Sequence, residues 1–286
     1  MVISEVLSIP IVVQAALYGC SAAVVLARVV PPLGYVLQYG KALSSEEEEN
    51  DNGHDKVYGI WSNFRLWLAP LTTTLPKSWF WHFYVSGLVT AGLALFFMHG
   101  NQSDNTRLVL ILLGLQTTRR LVECVVLEKQ SSAARIRVGH YIVGHAFYVL
   151  AVAAFAFDHD ENDEYYKFWD ARQRPSGLAL VPVLVMFVVA FVSQYLTHVQ
   201  LSRLVKYSPP PPTWPFKYLI CPHYTAEVII YFALAWLVAF SASSVAVVVW
   251  VAVNLGASAE QSKKFYINKF GPQSVKSKFM VLPPVW

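Results

Sequence analysis

Cys221-Pro222-His223-Tyr224-Thr225-Ala226-Glu227 sets an imidazole and a carboxylate at the mouth of a long apolar run, residues 228–240. A charge at the lip of a bilayer-length segment is costly without a partner, and burial against a ligand is one way to supply it. The stretch therefore points to an integral membrane protein with chemistry at the bilayer edge.

The composition agrees. Hydrophobic residues make up 55% of the 286-residue chain and charged residues 14%, against about 25% charged in soluble domains. Several runs approach the roughly 20 apolar residues that a helix needs to cross hydrocarbon. Seven are expected, at about residues 7–29, 79–99, 106–127, 138–157, 177–201, 224–240 and 245–257. The fold class is thus an all-α integral membrane protein of about seven transmembrane helices. The last two runs are short, and Ser241-Ala242-Ser243-Ser244 between them reads as a tight hairpin. The first run is too long, and its flanks too weakly basic, for a cleaved signal peptide, so it reads as an anchor. Residues 1–286 read as a single membrane domain without internal repeat, and a transporter finds no support in matched, broken helices.

Loop charges set an orientation, because short cytosolic loops are enriched in Lys and Arg. Lys129, Arg135 and Arg137 share one loop, Arg203, Lys206 and Lys217 another, and Lys263, Lys264, Lys269, Lys276 and Lys278 the tail. The opposite loop, 158–174, is rich in Asp and Glu. The basic loops and the C-terminus are therefore assigned to the cytosol. The net charge of +4 concentrates there, which suits an anionic cofactor or anionic lipid headgroups and not nucleic acid.

Residues 44–53 hold an acidic run that reads as a disordered insert, since it has little apolar surface to bury. Residues 61–73 combine Trp61, Phe64, Leu66 and Trp67 with Arg65, an amphipathic pattern suited to the interface. Pro209 to Pro212 read as a stiff connector. The apolar ending, Phe279 to Trp286, is expected to pack on the protein or the membrane. Cys20, Cys124 and Cys221 form neither a disulfide framework nor a metal-ligand spacing. The sequon at Asn101-Gln102-Ser103 lies too near the membrane for use.

Chemistry concentrates at span ends. In Thr118-Arg119-Arg120-Leu121-Val122-Glu123-Cys124, Glu123 follows Arg120 by three residues and Arg119 by four, so on a helix it pairs with either. An ordinary helix-end ion pair and an arginine that holds phosphate, oriented by Glu123, fit this spacing equally. His198, Arg203 and Lys206 follow one another toward the end of the fifth run, where they either snorkel or converge on an anion. Lys263-Lys264-Phe265-Tyr266 repeats the alternation of cation and aromatic. Trp79, Trp81 and Tyr84 in Trp79-Phe80-Trp81-His82-Phe83-Tyr84 suit an aromatic belt, but the ring of His82 must find partners. His140 and His145, five apart, do not share a helix face and read as satisfied interior histidines. Dinucleotide, P-loop and nucleophile-elbow fingerprints are missing from the sequence, as are paired metal ligands.

In order and spacing these blocks resemble the steroid 5-alpha-reductase family, and within it the polyprenol reductase branch. The carrying residues are Pro76-Lys77-Ser78-Trp79-Phe80-Trp81-His82-Phe83-Tyr84, Arg119-Arg120-Leu121-Val122-Glu123-Cys124 and His198-Val199-Gln200-Leu201. Pro222-His223-Tyr224-Thr225-Ala226-Glu227 and Lys264-Phe265-Tyr266 complete the set, and together they span 76–286. The resemblance implies a seven-helix fold in the endoplasmic reticulum membrane, NADPH bound from the cytosolic side, and saturation of the double bond nearest the oxygen of a long isoprenoid, feeding dolichol for N-glycosylation. It implies that Arg120, His198, His223, Tyr224, Glu227 and Tyr266 line the cofactor, with Tyr218 and the flanking cations Arg119, Arg203, Lys206 and Lys263 nearby; the ligand spacings lead to no expected metal. The chain departs from the steroid enzymes at three positions. Thr117 stands where they carry a tyrosine, Thr74 where they carry an acid, and Lys263 where a histidine is common. A steroid substrate is therefore not expected.

Hydride adds readily only to an electron-poor alkene. An allylic alcohol lacks a conjugated electron-withdrawing group and the matching aldehyde has one, so a polyprenal is the expected substrate. Such a site needs a donor to the carbonyl oxygen and a proton source for the alpha carbon. Tyr84 and His82 are the candidates, with Glu123 orienting Arg119 or Arg120. The alternatives are a trans-2-enoyl-CoA reductase of fatty-acid elongation and a non-catalytic lipid-binding or scaffold protein.

Overall fold

The computed structural model describes residues 9–29, 73–98, 102–128, 134–157, 174–204, 208–209 and 211–281. The acidic insert, the interfacial stretch 61–72, Asn101, Lys129, the loop 158–173, Lys206, Pro210 and residues 282–286 lie outside them.

Seven α-helices run through the described residues: α1 (Ile9–Val29), α2 (Trp81–Phe97), α3 (Asp104–Val122), α4 (Val138–Ala156), α5 (Leu180–Ser202), α6 (Pro222–Leu237) and α7 (Ala242–Phe270). Five are long and apolar enough to cross a membrane, counting the short helical turns that lead into α2 and α5. The other two are α3, which carries Asp104, Arg107, Arg119 and Arg120, and α6, which has 16 residues. At 1.5 Å per residue, α6 is about 24 Å long, short of the roughly 30 Å of hydrocarbon.

Helix α5 shows how sequence sets orientation. Val183, Phe187, Ala190, Gln194 and Thr197 recur at intervals of three and four, and all are buried. Val181, Val185, Val188, Val192 and Leu196 fall between them and are exposed. An apolar face left outside is the signature of a helix that meets lipid. Phe96 and Phe97, 78% and 75% exposed, continue this outer surface at the end of α2.

The principal packing pairs are α5 with α6, α2 with α3, α1 with α7, and α2 with α4. Leu110, Leu113, Phe155, Ile230, Leu234, Leu237 and Val247 are fully buried where these helices meet. Asn105 fastens one end of the bundle: its amide donates to Pro175 O at 3.1 Å and to Leu237 O at 2.8 Å. At the other end, β1 (Thr74–Pro76) pairs antiparallel with β2 (Arg135–Arg137), matching Leu75 to Ile136 and holding the starts of α2 and α4 together.

Two expectations about the last helices need correction. The turn between α6 and α7 is made by residues 238–240, with Ala239 and Phe240 at φ 56° and 54°. Ser241 is the N-cap of α7, accepting from Ser244 N at 3.2 Å, so residues 242–244 are already helical. Helix α7 also runs on to Phe270, past the expected 245–257. Gly256, Ala257, Ser258 and Ala259 are buried on it, and Glu260 bridges Arg28 of α1 and Lys264 of its own helix. That anchoring explains why the cationic stretch continues as helix. Beyond it, Phe279 and Met280 accept from Ile220 N and Cys221 N at 2.9 and 3.1 Å. The described chain up to Val281 thus packs against the approach to α6, while the rest of the apolar ending, 282–286, lies outside the described residues.

Candidate active site

The buried face of α3 changes character along its length. It reads Val109, Leu110, Leu113, then Gln116, Thr117 and Arg120, all buried, and continues to Glu123, which is 1% exposed. One stripe is thus apolar at the start of the helix and polar at its end. At Glu123 the helix passes into a wider π turn, residues 123–127, a feature frequent at functional sites.

Glu123 is the centre of the cluster. One carboxylate oxygen accepts from Arg119 and the other from Arg120, the pairings that the spacing allowed. His198 of α5 reaches the same carboxylate, with Nδ1 2.7 Å from Oε2. Arg120 also donates to the Tyr84 hydroxyl at 3.0 Å and to Glu128 at 3.4 Å. A carboxylate this buried is tolerable only when paired, and three partners from two helices satisfy that demand. Tyr84 is 5% exposed and packs on Tyr148 of α4 with ring centroids 5.6 Å apart.

Two glutamines extend the cluster to α6. Arg119 donates to Gln116 Oε1 at 2.8 Å and to the side-chain oxygen of Gln194, and its guanidinium lies 4.3 Å from the centroid of Phe191. Gln116 donates to Glu227 at 3.1 Å, and Gln194 donates to Glu227 and to His223 O. The partners of Glu227, sought at the outset, include two amides. Both glutamines escaped the sequence reading because they carry no charge. Their signal was positional, since each falls on the buried stripe of its helix.

The structure therefore brings together Tyr84, Arg119, Arg120, Glu123, His198, His223 and Glu227. The His223 ring lies 5.4 Å from that of His198 and 4.3 Å from that of Tyr224. Tyr266 is buried on α7, in the same apolar core as Cys221 and Tyr224. Tyr218 is 52% exposed beneath the ammonium of Lys217, Arg203 is exposed just past α5, and Lys263 is half-buried on α7. Lys206 lies outside the described residues. His82 sits two residues from Tyr84 and so faces elsewhere on α2: its Nδ1 is 2.7 Å from the Tyr141 hydroxyl. His145 is half-buried and bonds Ser86 at 2.6 Å, so its ring has a partner. Thr117, at the steroid enzymes' tyrosine position, spends its hydroxyl on Leu113 O and Gly114 O.

Residues 151–286 match the family model of 3-oxo-5-alpha-steroid 4-dehydrogenase. Over that stretch the chain is similar to the steroid 5-alpha-reductase family. The chain is also similar to the polyprenal reductase of Saccharomyces cerevisiae, 29% identical over 247 residues that cover 86% of this chain and 84% of the yeast protein. It is 29% identical to the human polyprenal reductase over 226 residues, 74% and 69% of the two chains. The Xenopus tropicalis polyprenal reductase is 26% identical over 72% of this chain and 79% of its own. These alignments extend well before residue 151, so the likeness takes in helices that the family model leaves out.

Two shielded nitrogens of the cluster, His223 Nδ1 and Arg119 Nε, have no hydrogen-bond partner among the described residues. Unmet donors and acceptors beside paired cations suit a ligand that brings phosphate oxygens and an amide. A nicotinamide dinucleotide fits that donor set.

Proposed function

We propose that this protein is an NADPH-dependent polyprenal reductase of the endoplasmic reticulum membrane. It saturates the alpha-isoprene double bond of a long isoprenoid aldehyde, on the way to dolichol for protein N-glycosylation, with its C-terminus in the cytosol. The observation that carries the reading is Tyr84 held at 3.0 Å by Arg120, whose second nitrogen is fixed by Glu123, in a chain similar to polyprenal reductases.

Bound NADPH would supply the hydride for the beta carbon. The chain's own residues do the rest. Arg119, Arg120, His198, His223, Tyr224 and Glu227, with Tyr266, hold the cofactor; Tyr218, Arg203, Lys206 and Lys263 supply the flanking contacts. Glu123 fixes both arginines, which without it would repel one another. Tyr84 delivers the proton to the alpha carbon, and Arg120 at its oxygen supports the phenolate left behind. The scheme consumes one proton, so His82, joined to Tyr141 on another face of α2, stands as the alternative donor to Tyr84. Aromatic and aliphatic walls keep water from the enolate.

Tyr84→Phe tests the assignment. It removes one oxygen from a packed ring, so binding of NADPH should persist while turnover of polyprenal falls by about 10²-fold or more. Unchanged turnover would sink the role of Tyr84.

A further inference from the structure

Conjugate reduction needs two polar contacts with the substrate, and the cluster around Arg120 supplies one of them in Tyr84. Among the described residues a second phenol has no use assigned. Tyr231 lies on α6, one turn beyond Glu227, and is 1% exposed. Its hydroxyl is shielded from solvent and has no hydrogen-bond partner among the described residues. The ring packs on Phe147 at 5.7 Å, next to Tyr148, which in turn packs on Tyr84. Phe147 also packs on Tyr148 with ring centroids 5.2 Å apart, so a continuous row of rings links Tyr231 to Tyr84. Phenols from α2, α4 and α6 thus gather beside the charge cluster.

A buried hydroxyl without a partner is destabilising, and a phenylalanine of the same shape would avoid the loss. Such a group is understandable where a ligand completes it. The ligand must offer an acceptor, since a phenol surrounded by apolar rings has a proton to give. Resting on the reading above, we propose that the Tyr231 hydroxyl donates the hydrogen bond to the carbonyl oxygen of the unsaturated aldehyde. As hydride from the reduced nicotinamide reaches the beta carbon, the carbon–carbon pi electrons move toward the carbonyl and leave an enolate oxygen. Tyr231 stabilises that oxygen. The alpha carbon then takes its proton from Tyr84, and the carbonyl reforms. Donors aimed at developing charge in a dry site act in this way. The preference for aldehyde over alcohol then has a structural basis, because an alcohol develops no negative oxygen.

The test is Tyr231→Phe in the full-length, detergent-purified protein, with steady-state reduction of a polyprenal and NADPH affinity measured on the same preparation. The proposal expects kcat to fall about 10²- to 10³-fold, the loss seen when one oxyanion donor is removed, with NADPH affinity within twofold of wild type. A kcat within threefold of wild type overturns it. A parallel loss of NADPH affinity also overturns it, by placing Tyr231 on the cofactor side or in the fold. Wild-type protein that leaves polyprenal unreduced removes the underlying reading instead, and the proposal with it.

Discussion

Arg120 grips Tyr84 in two ways: Nη2 donates to the phenol oxygen at 3.0 Å, and the guanidinium carbon lies 5.1 Å from the ring centroid. An arginine on α3 is thereby tied to an aromatic on α2, while its other nitrogen is bound to Glu123. The pair joins the cofactor-binding and substrate-facing halves of the proposed site, and its geometry depends on the carboxylate behind it.

Removing that carboxylate's charge should therefore be severe. Glu123→Gln leaves Arg119 and Arg120 without their shared counter-ion, and breaking a buried pair typically costs about 3–5 kcal/mol. A clear drop in the thermal midpoint is expected, along with weakened NADPH binding. A variant as stable as wild type would mean that the arginines are balanced elsewhere.

Gln194 should matter through the groups it connects. Its oxygen accepts from Arg119 and Gln116, and its nitrogen donates to Glu227 and His223 O. Gln194→Leu keeps the volume and cuts all four links. NADPH affinity should fall about tenfold, equivalent to 1.4 kcal/mol. Calorimetric titration reads this directly, and unchanged affinity would count against a bridging role.

The sequence makes the cluster partly legible, and the reasons differ residue by residue. The three- and four-residue spacings of Arg120 and Arg119 to Glu123 announce the ion pairs. Nothing local tells a buried pair from a solvated one, because burial depends on what α5 and α6 place opposite. Gln116 and Gln194 are neutral, so a search by charge passes over them, although the periodicity of Val183, Phe187 and Ala190 leads straight to Gln194. Tyr231 stands in an apolar run and reads as one more aromatic. His198 stands near Arg203 in sequence, yet it turns to Glu123 while Arg203 stays exposed. Helix α7 outruns its apolar stretch because Glu260 finds Arg28 on α1, a long-range contact that no window of residues displays.

Gly87 makes room where α2, α3 and α4 meet. A Cβ there would lie 2.7 Å from Tyr148 Cδ1 and 2.9 Å from Thr117 Cγ2. Gly87→Ala should push Tyr148 toward Tyr84, costing about 1–3 kcal/mol as overpacking does and lowering kcat. Full activity and stability would show that the ring shifts freely.

The turn after α6 offers a gain. Ala239 has φ 56°, a region where a Cβ costs roughly 1–2 kcal/mol. Ala239→Gly should raise the thermal midpoint by ~2 °C and leave kinetics unchanged. A lower midpoint would mean that the methyl group packs more favourably than its backbone angle suggests.

The most direct measurement of the central claim is NADPH oxidation by the purified protein, offered a polyprenal, the matching polyprenol and a trans-2-enoyl-CoA in turn. The account predicts consumption with the aldehyde alone, yielding the product saturated at its alpha-isoprene unit. Consumption with the enoyl thioester instead, or binding of NADPH without turnover of any of the three, would contradict it.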